Sequence, residues 1–319
     1  MGRPAVSVII PTYNYGRFVT EAVDSVLAQT YRDLEVVVVD DGSTDDTPER
    51  MQAYGNRIRY LRQANQGPSA TRNSGIEAAR GDLVAFLDAD DVWHPGKLQA
   101  QMSYLEAHPD VALLATDCTL ELPQPWPPLP ACVADAAVDV GLDELVIHSR
   151  FGICGVVIRR KCLDSVGHFD GRLRAAEDRD LWLRIASRFR IAKLCLPLWW
   201  YRFHESNSSY AAARMEANER EMLRKAFREV DGLRGRRLLK RRARSYAAFA
   251  AALMYDEARM PWVALWRLLQ SFLLFPLPHR RSDVNVPLVR AKRTLLILGR
   301  LTRDWRKPPL ASVEKPCGC

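Results

Sequence analysis

The chain has 319 residues, of which 48% are hydrophobic and 26% are charged, and this composition is ordinary for a globular protein. That length allows one large α/β domain with an appendage. The seven cysteines are scattered and show no paired Cys-x-x-Cys spacing. This excludes a zinc or redox site of that type, and we expect the thiols to be reduced.

The charge is distributed unevenly along the chain. Residues 1–210 carry 22 basic and 28 acidic side chains, a net charge of −6, whereas residues 211–319 carry 24 and 10, a net charge of +14. A basic C-terminal region on a mildly acidic domain indicates contact with an anionic surface. We favour a membrane leaflet as that surface and expect no nucleic acid partner.

The first 116 residues alternate between short apolar runs and amphipathic segments, which is the pattern of βα units in a largely parallel sheet. Helical spacing of apolar residues follows the first run, Pro48 suits the first turn of a second helix, and Pro68 opens a third. The five candidate strands are residues 6–10, 34–39, 58–61, 83–87 and 111–115.

Three of these candidate strands end in polar or acidic residues. The ends are Pro11 to Asn14 after the first strand, Asp40 and Asp41 after the second, and Asp88, Asp90 and Asp91 after the fourth. Open α/β sheets bind ligands at the carboxyl ends of their parallel strands. At that edge Asp88 and Asp90 could reach a divalent cation and the ribose or phosphates beside it. The alternative for an acidic cluster taken alone is a solvated turn.

A second block of sequence continues to about residue 210. A proline-rich stretch at 121–130 precedes an apolar run at 153–158, a helix from about Glu177 to Ser187 and an extended stretch at 191–203. Acidic residues open the predicted helix, where they could simply complement the helix dipole.

From residue 211 onward the sequence is helical in pattern and rich in arginine, and residues 261–278 are strongly apolar. An interfacial membrane helix fits that run better than a spanning helix, which would be at about the minimum length. An ordinary buried helix is an equal alternative. Met1 leads almost directly into the first strand, so we expect no secretory signal. The prediction is a cytoplasmic protein, peripheral at the inner face of the cell membrane.

Three segments, VSVIIPTYN at 6–14, VVVVDDGSTDDT at 36–47 and GPSATRNSGIEAARGDLVAFLDADD at 67–91, resemble in order and spacing the nucleotide-binding half of family 2 glycosyltransferases. The resemblance implies an α/β fold of GT-A type, with a mostly parallel nucleotide-binding sheet flanked by helices and a helical C-terminal extension. The catalytic domain would be residues 1–210, with a nucleotide-sugar-binding half at 1–120 and an acceptor half at 121–210. A basic helical region would follow at 211–319.

The resemblance also implies roles for individual residues. The nucleotide-sugar-binding residues would be Pro11, Thr12, Tyr13, Asp41, Arg72, Asp88 and Ala89. Asp90 would ligate Mg²⁺ or Mn²⁺, with Asp88 as a ribose or metal contact and His204 as a phosphate contact or further metal ligand. The segment AAEDRDLWLRIA at 175–186 is similar to the family's Glu-Asp motif. Asp178 would then be the general base and Glu177 would orient it or hold the acceptor.

The predicted function is that of an inverting glycosyltransferase. It would move a sugar from a nucleotide diphosphate, most simply UDP, to an acceptor hydroxyl in the synthesis of cell-surface polysaccharide or lipid-linked glycan. The alternative is a nucleotide-sugar-binding protein without transferase activity. A nicotinamide-dependent oxidoreductase is disfavoured, because PTYNYG stands after the first strand in place of a Gly-x-Gly-x-x-Gly sequence.

Overall fold

The computed structural model describes residues 2–148, 150–173, 175–204, 212–277 and 288–302. The chain forms two compact units. The first comprises residues 1–141 and 151–203, and the second comprises residues 142–150 and 204–319. The residues after position 302, which belong to the predicted basic C-terminal region, lie outside the described ranges.

The helices and strands follow one another in a regular α/β order up to residue 119. These are β1 (Val6–Thr12), α1 (Gly16–Leu27), β2 (Leu34–Asp40), α2 (Thr47–Gln52), β3 (Arg59–Arg62), α3 (Pro68–Ala78), β4 (Leu83–Phe86), β5 (Val92–Trp93), α4 (Lys97–Ala107) and β6 (Val111–Thr119). The elements that follow are β7 (Ala137–Asp139), α5 (Leu142–Ile147), β8 (Val157–Arg159), α6 (Arg160–Val166), α7 (Glu177–Ala186), β9 (Arg190–Trp200), α8 (Ala212–Glu229), α9 (Arg237–Glu257), α10 (Pro261–Leu274) and α11 (Val289–Thr302). All five predicted strands are present.

One sheet in the order β3-β2-β1-β4-β8-β6-β9-β5 organises the first unit, with β7 paired to β9. The strands β3, β2, β1 and β4 are mutually parallel, as predicted for the nucleotide-binding half. Strand β8 is antiparallel to both β4 and β6. The sheet as a whole is therefore mixed, because a strand from the second sequence block separates the fourth and fifth predicted strands.

Helix α3 packs closely on the centre of the sheet at Gly75. A β-carbon placed at Gly75 would lie 2.4 Å from a side-chain carbon of Ile9 on β1. Both faces of β1 are covered, since Val6, Val8 and Ile9 are fully buried, and this is the rule for parallel strands between helices. The glycine thus allows the helix to approach the strand, and it fixes where the residues of α3 emerge at the edge of the sheet.

The carboxylate of Glu35 joins the amino-terminal ends of the central strands. It accepts hydrogen bonds from the Ser7 hydroxyl at 2.6 Å and from the backbone N–H and Nε of Arg80 at 2.7 and 2.8 Å. The Ser7 hydroxyl oxygen in turn accepts the N–H of Gly81 at 2.8 Å. Burial alone would raise the pKa of Glu35, but the hydrogen bonds from Ser7 and Arg80 outweigh it and lower that pKa. The amino-terminal ends of these strands are therefore held by ion pairs and hydrogen bonds, and the polar residues predicted to bind a ligand follow their carboxyl ends.

The Glu35 network predicts a specific loss of stability. Glu35→Gln should lower the free energy of unfolding at neutral pH by about 1–3 kcal/mol, because buried donors lose a charged acceptor. A carboxylate whose pKa is lowered on folding stabilises the fold above its ordinary pKa, and this contribution is lost as the pH falls through the lowered value. The difference between the two proteins in urea titrations should therefore shrink progressively as the pH falls below about 4. The exposed Glu77→Gln is the matched control, and an equal loss in that variant would contradict the assignment.

The described residues of the second unit form mainly helices, and α10 accounts for most of the apolar run at 261–278. Within the described ranges, no helix combines the length and apolarity needed to cross a membrane. One face of α10 is buried through Ala264, Leu268 and Ser271, whereas Trp262 and Leu273 are 71% and 66% exposed. Helix α10 is therefore buried on one face and exposed on the other, and both the interfacial helix and the ordinary packed helix stay predictions.

Two cysteines depart from the predicted reduced state. Cys118 on β6 and Cys195 on β9 are disulfide-bonded, and these two strands pair side by side. Cys132, Cys154 and Cys162 are free thiols. The prediction fails for the first two residues because the adjacency of β6 and β9 is not visible in the spacing along the chain.

Candidate active site

Three polar strand ends meet at one edge of the sheet. The backbone N–H of Asp41 donates to the carbonyl oxygen of Thr12 at 2.9 Å, so the ends of β2 and β1 adjoin. On the other side of β1, the N–H of Leu87 donates to the carbonyl oxygen of Ile9 at 3.0 Å. The parallel registers thus place the residues after β1, β2 and β4 next to one another, as the strand order predicts.

The end of β1 offers a buried hydroxyl beside an exposed aromatic ring. The Thr12 side-chain oxygen is buried and has no hydrogen-bond partner among the described residues. Tyr13 is 45% exposed. Asn14 has a left-handed backbone with φ of 56°, and its side-chain oxygen accepts the N–H of Thr44 at 2.8 Å. A buried hydroxyl without a partner is unfavourable unless a ligand or water satisfies it, and this fits the predicted nucleoside contact.

Asp41 holds the loop that leads into α3. Its carboxylate accepts hydrogen bonds from the side chain of Gln63 at 2.8 Å, from the N–H of Gln66 at 3.0 Å and from the N–H of Gly67 at 2.8 Å. The neighbouring Asp40 is fully buried and accepts the N–H of Ser43 at 2.8 Å. Asp41 therefore has a structural task at the start of α3, and its contact with a nucleoside stays a prediction.

Arg72 is the central cation of the site. It lies on α3, is only 7% exposed, and donates from one guanidinium nitrogen to Asp88 at 2.8 Å and from another to Glu177 at 2.6 Å. Burial lowers the pKa of Arg72, but the charges of Asp88 and Glu177 outweigh this effect and raise it. The next residue, Asn73, exchanges two hydrogen bonds of 3.0 Å with the backbone of Phe169. Helix α3 thus connects the acidic loop with the segment before α7.

The start of α7 carries the predicted base. Ala176 precedes the helix with a left-handed φ of 60°, a conformation that costs a non-glycine residue energy and is common at functional sites. Burial and the neighbouring charge of Glu177 raise the pKa of Asp178 to about 6. An aspartate with this pKa is mostly ionised at neutral pH and is a stronger base than an ordinary one. The geometry therefore brings Glu177 and Asp178 to the same edge as Asp88.

The acidic loop contains one buried and two more accessible carboxylates. Asp91 is 2% exposed, whereas Asp88 and Asp90 are half-buried. Asp91 accepts the Cys154 thiol at 3.1 Å and the backbone N–H of Arg202 at 3.0 Å. Burial, together with the charges of Asp90 and Asp88, raises the pKa of Asp91 well above its ordinary value. Asp91 therefore ties the acidic loop to Cys154 and to the backbone of Arg202.

Two residues of this loop's surroundings escaped the sequence analysis. The Cys154 sulfur accepts the N–H of Asp88 at 3.2 Å, and the Arg202 Nε donates to the carbonyl oxygen of Asp90 at 2.8 Å. The Arg202 guanidinium also lies 4.3 Å from the centre of the Trp200 ring. Cys154 reads as a core residue within an apolar run, and Arg202 lies two positions before the histidine that attracted the prediction. Neither residue stands in a local sequence pattern that would indicate a role in the site.

The candidate metal ligands at this site suit a hard divalent cation only in part. Oxygen and sulfur atoms of Asp88, Asp91 and Cys154 lie within 4.8 Å of one another. Burial raises the pKa of the Cys154 thiol well above its ordinary value, so it keeps its proton, and Mg²⁺ prefers oxygen ligands. The fitting ligands are carboxylates. Asp88 and the accessible Asp90 remain the predicted pair, although Asp90 is not part of the compact three-residue group.

The remaining predicted residues lie as follows. Pro11 is within β1, and Ala89 is buried in the turn between Asp88 and Asp90. His204 is half-buried and belongs to the second unit. Its role as a phosphate contact or metal ligand stays a prediction.

Comparison with known sequences identifies the family. The sequence profile described as glycosyl transferase family 2 matches residues 7–152. The uncharacterized glycosyltransferase alr2836 of Nostoc sp. is 33% identical over 225 residues, which are 65% of this chain and 67% of that relative. The chain belongs to glycosyl transferase family 2. The uncharacterized glycosyltransferase RP339 of Rickettsia prowazekii is 34% identical over 197 residues, and the match spans 60% of this chain and 60% of that relative.

Solved structures agree on the fold of this family 2 chain. The mannosyltransferase PcManGT from Pyrobaculum calidifontis, in complex with GDP-Man and Mn²⁺, has a TM-score of 0.61 at 22% identity, covering 95% of this chain and 81% of that one. TarS 1-349 of S. aureus, in complex with UDP-GlcNAc, has a TM-score of 0.56 at 20% identity, covering 88% and 94%. These likenesses confirm the predicted GT-A fold.

The buried ion pairs of Arg72 predict a large loss of stability. Arg72→Met should lower the free energy of unfolding of this family 2 protein by about 3–5 kcal/mol, because the buried Glu177 and the half-buried Asp88 lose their shared cation. Arg50→Met is the control, since the Arg50–Asp46 pair is exposed and should contribute less than about 1 kcal/mol. Urea unfolding monitored by circular dichroism measures both. Equal effects of the two substitutions would show that Arg72 is not a structural cation.

Proposed function

We propose that this protein is an inverting, metal-dependent glycosyltransferase, which moves a sugar from a nucleotide diphosphate to an acceptor hydroxyl. The observation that carries the proposal is the Arg72 bridge. It joins Asp88, at the carboxyl end of a central strand, to Glu177, which precedes the candidate base in sequence. Donor-side and acceptor-side carboxylates that lie far apart in the sequence are thus held at one place, as a displacement between two bound substrates requires.

The donor side supports a nucleotide sugar as the substrate. Thr12 presents a buried hydroxyl that has no hydrogen-bond partner in the described part of the chain, and Tyr13 presents an exposed ring on which a nucleobase can stack. The nucleotide would lie across the ends of β1, β2 and β4, with Pro11, Asp41 and Ala89 near the nucleoside and Arg72 near the phosphates. UDP is the carrier we propose, and a neighbour of the same fold was solved with UDP-GlcNAc.

Asp88 and Asp90 would hold the cation, either Mg²⁺ or Mn²⁺. When bound, such a cation supplies positive charge that stabilises the leaving diphosphate. Arg72 places a further positive charge beside Asp88. Asp91, held by Cys154 and Arg202, fixes the backbone of the loop that carries both ligands.

Asp178 would remove the proton from the acceptor hydroxyl as its oxygen attacks the anomeric carbon. The pKa of about 6 leaves the carboxylate ionised at neutral pH and raises its basicity. Glu177 is occupied by Arg72 and would position the acceptor side of the site rather than take the proton. Attack from the face opposite the leaving diphosphate inverts the anomeric configuration.

The acceptor would be a glycan or a lipid-linked carrier, in the synthesis of a cell-surface polysaccharide or a lipid-linked glycan. The net charge of +14 over residues 211–319 supports a peripheral position on the inner, anionic face of the cell membrane. The acceptor hydroxyl would then be presented from that surface.

Asp178 provides the direct test of transfer. Asp178→Asn should abolish product formation while the affinity for the donor nucleotide stays within about threefold, because the base acts in the transition state. In the unaltered enzyme kcat/KM should fall about tenfold per pH unit below about pH 6, since protonation removes the base. Product assays with a panel of nucleotide sugars, Mn²⁺ and a membrane extract measure both. Full transfer by Asp178→Asn would contradict the role.

Nucleotide-sugar binding without transfer is the remaining alternative. It would give tight donor binding by calorimetry and no nucleotide diphosphate release with any donor or acceptor extract. In that case Asp178→Asn would match the unaltered protein in every measurement.

Asp90 tests the metal site separately. Asp90→Asn should raise the Mn²⁺ concentration for half-maximal transfer by at least about 10-fold, since even outer-shell changes cost roughly 10–100-fold in metal affinity. Asp46→Asn removes an exposed carboxylate outside the acidic loop and is the control. Manganese titrations of transfer, and of Mn²⁺ binding by electron paramagnetic resonance, give the two constants. An unchanged half-saturation in Asp90→Asn would assign the metal to other residues.

A further inference from the structure

A cavity of about 710 Å³ lies within the second unit, between helices α8, α9 and α10. Small-molecule sites in proteins have volumes of roughly 300–1,000 Å³, so this cavity is large enough for a ligand. Much of its wall is apolar. The apolar lining includes Leu223 and Phe227 of α8, Ala247 and Ala248 of α9, and Leu273 and Leu274 of α10.

One buried carboxylate contacts all three helices around the cavity. Glu216 of α8 is buried and accepts the hydroxyl of Tyr255 on α9 at 3.1 Å. It also pairs with Arg267 of α10 at 2.8 Å and with Arg220 of its own helix at 2.6 Å. The cavity is therefore defined by buried polar contacts between the helices that line it.

The cavity carries uncompensated positive charge. Four exposed basic residues contribute to its lining, namely Arg220, Arg224, Lys240 and Arg244. The two arginines of α8 are paired with acidic side chains of the same helix, Arg220 with Glu216 and Arg224 with Glu221. Within the described part of the chain, no ion pair joins Lys240 or Arg244 to an acidic side chain. Two cations thus adjoin an apolar wall, which is complementary to an amphiphile with an anionic head.

The cavity continues onto an exposed apolar stripe of α10. Trp262, Trp266, Leu269 and Leu273 are spaced by four, three and four residues, and they are 71%, 53%, 48% and 66% exposed. Trp266 and Leu273 belong both to this stripe and to the cavity wall. Tryptophan and leucine on one face of a basic helical region are typical of helices that lie in a membrane interface.

We propose that the cavity binds one phospholipid of an anionic leaflet, with its phosphate between Lys240 and Arg244 and an acyl chain against the apolar wall. The α10 stripe then lies in the headgroup layer. This lipid site gives the membrane association proposed above a defined binding position. Lipid binding there does not depend on sugar transfer. A nucleic acid would use the two cations but has no counterpart for the leucine and alanine wall or for the exposed stripe.

The test measures vesicle binding by the full-length chain. Lys240→Glu/Arg244→Glu is compared with Arg234→Glu/Arg237→Glu, a pair of exposed residues in the same unit that do not line the cavity. Both pairs change the net charge equally. Co-sedimentation uses vesicles of phosphatidylcholine alone or mixed with phosphatidylglycerol. The cavity pair should lower partition to the mixed vesicles by at least about tenfold, and the control pair by less than about threefold.

Ala248→Leu tests the apolar half of the site without changing charge. The added side chain projects from the cavity wall, so native mass spectrometry should show less of the one-to-one phosphatidylglycerol complex than with the unaltered chain. Thermal unfolding by circular dichroism verifies that each variant is folded. Donor nucleotide affinity should be unchanged in all of them, which separates failure of this site from failure of the proposed transferase.

Three results would overturn the lipid site. Equal losses in the two charge pairs would indicate diffuse attraction over the whole basic region. Equal binding to neutral and mixed vesicles would contradict a site for an anionic lipid, since phosphatidylcholine carries a phosphate but no net charge. Binding to duplex DNA that competes fully with the mixed vesicles, and is lost in the cavity pair, would assign the cations to a nucleic acid.

Discussion

The site depends on one guanidinium group that two carboxylates share. Asp88 and Glu177 would repel each other if Arg72 did not lie between them, and none of the three is well exposed to water. Charges in such a place are costly unless they are paired and hydrogen-bonded. The pairing therefore determines the distance between the acidic loop and the start of α7. It also affects Asp178. Burial and the charge of Glu177 raise the pKa of Asp178, and the charge of Arg72 offsets part of that rise.

Several contacts in the first unit fix the position of the Arg72 guanidinium. Asp41 receives the N–H of Gly67 and so fixes the beginning of α3. Gly75 lets the same helix lie against Ile9 of the central strand. Asn73 ties it to Phe169 on the acceptor side. The acidic loop is supported from its other side by Cys154 and Arg202. The proposed site is thus built on a helix and on strand ends that the sheet holds in place.

The sequence predicts the parallel half of the sheet well, because alternating βα patterns and strand-end polarity are local signals. It also predicts which residues come together at that edge, since carboxyl ends of adjacent parallel strands must be neighbours. It does not predict that β8 enters between β4 and β6 in the opposite direction. Cys154, Arg202 and the bonded pair Cys118 and Cys195 escape for the same reason. Their contacts depend on pairings between distant segments, and no local pattern marks them.

The close approach at Gly75 has a consequence for how this protein can vary. The loops that follow the strand ends can vary without moving the strands, because parallel hydrogen-bonded pairing holds β1, β2 and β4 in place. A single methyl group at Gly75, however, would push α3 away from β1 and carry Arg72 with it. Position 75 therefore tolerates no side chain as long as the Arg72 bridge is kept, because the helix that carries the bridge lies within one carbon atom's width of the central strand.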